Sequence, residues 1–166
     1  MTTDVASPLS RPVSVADLPP EGLELTLEAS PEEREALARD FKLPAIHAFT
    51  GTFRLTGTRS HVHVSGRVDA TINQICVVTL DPFDSQVQED VDVEFAVASA
   101  ASGHESHTPP DEIINGTIDL GALSAEFLAL GLDPYPRKPG VDFTFDAADD
   151  RPQSPFAALA KLKANE

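Results

Sequence analysis

The stretch "HVHVSGRVDATIN" (61–73) constrains the fold more than any other part of the chain. Its even positions Val62, Val64, Val68, Ala70 and Ile72 are apolar or small. Its odd positions His61, His63, Ser65, Arg67, Asp69, Thr71 and Asn73 are polar. A period of two held this long is that of a β-strand with one face on a core and the other in water. Neighbouring segments extend the pattern. "TGTFRLTGTRS" (50–60) supplies a preceding strand and a turn near Gly57, and "ICVVTLDPF" (75–83) is more uniformly apolar. In "VQEDVDVEFAV" (87–97), Val91, Val93, Phe95 and Val97 alternate with Asp90, Asp92 and Glu94. Strands joined by such short turns predict an antiparallel meander, not βαβ units. Leu23, Leu25 and Leu27 alternate after a Pro-Pro-Glu-Gly turn and suggest a further strand.

Two helices are expected around this sheet. Ser30 can cap a helix over 31–42, with Pro31 in its first turn, Glu33 completing a capping box, and Pro44 closing it. Asp119 can cap a second helix over 120–130, with Gly131 as its stop and Pro134 and Pro136 holding an extended exit. Only Ser124 and Glu126 are polar inside it, so it is either buried on the sheet or waiting for a partner. We take burial as the expectation, with Glu126 bordering a Leu120, Leu123, Phe127, Leu130 stripe. The predicted class is α+β: an antiparallel sheet, open or barrel-like since the pattern does not decide its closure, with an N-terminal helix and a buried helix in the C-terminal half. Residues 1–12 read as a flexible arm, 13–146 as a single domain, and 147–166 as a tail. Within that tail, "PFAALAKLKANE" (155–166) has the pattern of a short helix. Residues 99–112 have the composition of a loop.

Charge narrows the function. The chain carries a formal net charge of −15, which opposes nucleic-acid binding unless cations gather locally. From Leu43 to Val68 there is no Asp or Glu, while Arg54, Arg59 and Arg67 stand there with His47, His61 and His63. Arg54, Arg59, His61, His63 and Arg67, with Arg137 and Lys138 at the proline exit, are the candidate RNA contacts. Asp90, Asp92 and Glu94 are candidate contacts for a basic protein. His61 and His63 lie ~7 Å apart on one strand face, too few ligands by themselves for a metal site. No run is long enough to span a membrane, the N-terminus reads as having no secretory signal, and the single cysteine permits no internal disulfide. A cytoplasmic location is expected. No nucleophile elbow, P-loop or dinucleotide fingerprint is present in the sequence, so no enzymatic activity and no cofactor are expected.

Three stretches together carry a family resemblance: "NQICVVTLDPF" (73–83), "VDVEFAV" (91–97) and "NGTIDLGALSAEFLALGLDPYPRKPG" (115–140). They resemble the cysteine-bearing strand, the acidic strand and the Ile-Asp-Leu helix of the YceD family of bacterial large ribosomal RNA subunit accumulation proteins. Cys76, Asp119, Leu120, Glu126, Pro134 and Pro136 are the residues on which these motifs fall. The resemblance implies a non-enzymatic role in large-subunit ribosomal RNA accumulation and large ribosomal subunit biogenesis. The expected partner is large-subunit ribosomal RNA or its precursor. The alternative is an acidic adaptor, or chaperone-like module, that holds a basic ribosomal protein without touching RNA. Many family members pair cysteines in a manner suited to zinc, whereas this chain has Cys76 alone, and no structural metal is expected.

Overall fold

The structure is a computed structural model, and it describes residues 7–98 and 109–142. The arm over 1–6, most of the 99–112 loop and the tail beyond 142 lie outside those residues. In chain order the elements are β1 (Pro12–Ser14), a 3₁₀ turn (Val15–Asp17), β2 (Leu23–Glu28), α1 (Pro31–Asp40), β3 (Ala45–Thr58), β4 (His61–Ile75), β5 (Pro82–Ala96), β6 (Asp111–Glu112), β7 (Thr117–Asp119) and α2 (Leu120–Gly131).

Strands β2 to β6 form one sheet in sequential order, antiparallel except for the short parallel β5–β6 pair, and β1 pairs with β7 in a separate two-stranded ribbon. The chain is thus α+β, with an open main sheet among the described residues and no closed barrel. The alternation in β4 fixes its register: Val62, Val64, Val68, Ala70 and Ile72 are all buried, and Gln74 continues the inner row with its Oε1 accepting from Ser85 Oγ at 2.9 Å. In β3 a bulge between Ile46 and Ala48 leaves His47 and Ala48 both outward and returns Phe49, Phe53 and Leu55 to the core. One face of the long β3–β4–β5 meander is therefore apolar, packed under α1, α2 and the ribbon, while the other is solvated.

Helix α1 begins as its sequence dictates. The Ser30 hydroxyl accepts from the Glu33 N–H, and the Glu33 carboxylate accepts from the Ser30 N–H. The same carboxylate takes a bidentate pair from Arg11, at 2.8 and 2.9 Å. Residues 9–12, read from sequence as part of an arm, are thereby held: Leu9 is fully buried, and the Arg11 N–H donates to Asp119 Oδ1 at 2.7 Å. Helix α2 is buried along Leu120, Leu123, Ser124, Ala125 and Leu128. Leu130, expected on that stripe, is 75% exposed. Leu128 takes the core position instead, because it continues the Leu120 and Ser124 row at a spacing of four.

Candidate functional site

The outer face of the sheet gathers most of the candidate side chains. Pairing sets Glu24 opposite Arg54, Arg54 opposite Ser65, and Ser65 opposite Asp92. One step along, Arg67 stands opposite Asp90, and His63 opposite Glu94. Arg54, His61, His63 and Arg67 do share this face, yet each meets a carboxylate. Arg54 Nη1 lies 2.7 Å from Glu24 Oε1, and Arg67 Nε lies 2.9 Å from Asp90 Oδ1. His63 Nε2 lies 2.7 Å from Asp92 Oδ1, and His61 Nε2 lies 3.4 Å from Glu94 Oε2. His47 joins Asp84 at 3.1 Å, where Asn73 also donates. The Asp90 hydrogen bond and charge raise the Arg67 pKa further above its ordinary value. Donors on Asp84, Asn73 first and then His47, lower its pKa. A segment free of acids in the sequence is thus flanked in space by acidic strands on both sides. With Glu28 and Asp69 unmatched by arginine, the face carries an excess of carboxylates, and the expected positive strip is not contiguous.

The remaining candidate cations sit elsewhere. Arg59 occupies the β3–β4 turn, whereas Arg137 and Lys138 follow α2. Lys138 is tied to Cys76, just past the other end of β4, so these cations lie roughly 45 Å apart along that strand. None of the three has an ion pair among the described residues.

The Cys76 corner is organised by backbone donors. β4 stops at Ile75, so Cys76 opens a turn instead of lying within a strand as its apolar neighbours suggest. Its N–H donates to the Asp81 carbonyl and its carbonyl accepts from Leu80, each at 2.9 Å. The Val77 N–H reaches the Pro136 carbonyl at 2.9 Å, and the Lys138 N–H reaches Cys76 Sγ at 3.4 Å. The Lys138 N–H first, then the Thr79 hydroxyl and N–H, lower the thiol pKa to about 6 against the opposing effect of burial. N–H groups donate and do not ligate, so one thiol with these neighbours does not fit tetrahedral zinc. Val77, Leu80, Leu130 and Tyr135 are exposed apolar side chains on this turn, the end of α2 and the proline exit. Sequence reasoning missed them because their exposure depends on where the turn and helix end.

At the other end of α2, Asp119 Oδ1 accepts from the Gly121 and Ala122 N–H groups at 2.9 and 3.1 Å, and Oδ2 accepts from Ser10 Oγ at 2.5 Å. Burial pushes the Asp119 pKa up, but these donors and Arg11 N–H outweigh it and leave it lowered. Leu120 is buried in the core. Glu126 lines a groove with Asp111 and Glu112, and desolvation, followed by the Asp111 charge, raises its pKa. Pro134 and Pro136 hold the exit on which the Cys76 turn rests.

The described residues thus form an α+β domain whose sheet has a solvated, carboxylate-rich face. Residues 64–163 match the family described as large ribosomal RNA subunit accumulation protein YceD, and the chain belongs to that family. The match covers most of β4 and everything after it in the described structure. Membership implies involvement in large-subunit ribosomal RNA accumulation. No curated protein and no solved structure matches the chain significantly. Among the described residues no helix is long and apolar enough to cross a membrane.

Proposed function

We propose that this protein is a non-enzymatic, cytoplasmic binding factor in large-subunit biogenesis that holds a basic ribosomal protein on its acidic sheet. One observation carries the reading: each of the four sheet side chains named as RNA contacts, Arg54, His61, His63 and Arg67, already has a carboxylate partner. For RNA to use Arg54 or Arg67, a phosphate would have to displace Glu24 or Asp90 against the surrounding negative field. A lysine- or arginine-rich partner meets the opposite situation, since carboxylates outnumber arginines on this face and their net negative field attracts it and steers its approach.

The test is capture from a ribosome-containing lysate with and without ribonuclease. A basic ribosomal protein should remain bound after ribonuclease treatment. The triple variant Asp90→Asn, Asp92→Asn, Glu94→Gln should weaken that capture by ~10-fold or more. Loss of all capture with ribonuclease, unaffected by the triple variant, would refute the reading. A second reading, direct RNA contact, is favoured by Arg59, Arg137 and Lys138, which have no ion pair among the described residues and whose separation limits each end to a local phosphate contact. Crosslinks from these three to ribosomal RNA that charge reversal there abolishes would establish it.

A further inference from the structure

Strand β5 has an unfinished side. Along one edge it pairs with β4 from Pro82 to Ala96, while along the other it pairs only with β6, at Phe95 and Ala96. From Pro82 to Glu94 that second edge has no strand partner among the described residues. An open edge of this length exposes a row of backbone donors and acceptors, and is a template for another strand.

The side chains beside the edge specify what would fit. Toward the outer face β5 presents Asp84, Gln86, Gln88, Asp90, Asp92 and Glu94, with no cation. A second copy of β5 laid against it would set carboxylates beside carboxylates, which disfavours self-pairing. The inner side is mainly apolar, through Phe83, Val87, Val91, Val93 and Phe95, with Ser85 and Glu89 polar among them. Ala122 and Glu126 of α2 line a groove with β6 residues Asp111 and Glu112, so this ridge of the helix faces the β6 edge. One turn on, the same ridge reaches Leu130, which is 75% exposed. The adjacent Gly131 approaches β5 so closely that a Cβ there would lie 2.5 Å from Val87 Cγ1. α2 therefore ends beside the part of β5 that β6 leaves open.

We propose that the open edge of β5 accepts an extended segment of a partner protein by strand addition, in line with β6, with basic and apolar side chains alternating along that segment. Its basic side chains lie over the Asp90, Asp92 and Glu94 row, and its apolar ones turn inward beside Val87 and Leu130. This deepens the acidic-module reading, on which it rests, by giving the partner a backbone conformation and a sequence period.

The probe is a synthetic peptide alternating lysine and valine, compared with the same peptide N-methylated throughout, which keeps charge and side chains but has no amide donors. Titration at low ionic strength should show the unmodified peptide binding at least ~10-fold more tightly. Amide exchange should slow within 82–94, and Leu130→Asp should weaken binding of the unmodified peptide several-fold. Equal affinity of the two peptides, or no slowing in β5, overturns strand addition while leaving the acidic-module reading intact. Failure of both peptides to bind also overturns it. If ribonuclease-resistant capture of a basic protein is lost as well, the underlying reading falls with it.

Discussion

Cys76 shows how one residue's surroundings decide its chemistry. Its side chain is fully buried, yet the groups around it are donors, led by the Lys138 N–H and the Thr79 hydroxyl. These favour thiolate and bring the pKa down to about 6. A pKa lowered on folding stabilises the native state above the unfolded value and loses that contribution as pH falls through the folded value. The thermal midpoint of the wild type relative to Cys76→Ala should therefore rise between about pH 6 and the ordinary thiol range near 8.5. Thiolate absorbance should titrate near the lower limit, and Thr79→Val should move it upward. Burial keeps the same group slow to alkylate, so ionisation without reactivity is the expected signature. A flat midpoint difference across that window would show that Cys76 stays protonated.

Among the elements, α2 depends on contacts at both ends, and its two terminal glycines test them differently. A Cβ on Gly121 would lie 2.7 Å from the Leu9 carbonyl oxygen and 2.8 Å from the Arg11 nitrogen, both backbone atoms. One on Gly131 meets side chains instead: it would lie 2.5 Å from Cγ1 of the buried, branched Val87 and 2.6 Å from Glu89 Oε1. Alanine favours a helix over glycine by about 1 kcal/mol, so propensity alone predicts that both substitutions stabilise. Gly121→Ala should instead cost about 1–3 kcal/mol by displacing the 9–11 segment, and Gly131→Ala, which meets side chains and not backbone, should cost less than Gly121→Ala. Chemical denaturation of both variants checks the contrast. Much of this level was legible in the sequence: the β4 alternation, the Ser30–Glu33 box and the Asp119 cap are local patterns that the structure reproduces. What escaped depends on contacts distant in sequence. Leu9 is one apolar residue among prolines and serines, and its burial follows from the β1–β7 ribbon. The neutralisation of Arg54 and Arg67 follows from strand register, which brings Glu24 and Asp90 across from 30 and 23 residues away.

For the whole molecule, the question is whether the charge ladder or the net charge governs stability. The chain carries −15, and its negative charges repel one another in the compact state. The opposing ion pairs are exposed: side-chain accessibilities are 55% and 75% for Arg54–Glu24 and 53% and 78% for Arg67–Asp90. Pairs of that kind contribute about 0–1 kcal/mol each, and salt screens them. Raising ionic strength from ~10 mM to ~1 M shortens the screening length from ~30 Å to ~3 Å, which relieves long-range repulsion over the whole surface. The thermal midpoint should therefore rise with sodium chloride, and the triple variant lacking the Asp90, Asp92 and Glu94 charges should respond less. Partner capture should move the opposite way, weakening with salt as attraction between the acidic sheet and its basic ligand is screened. A midpoint that falls with salt would instead make the cross-strand pairs the dominant electrostatic contribution. The excess carboxylates would then serve the sheet itself before any partner.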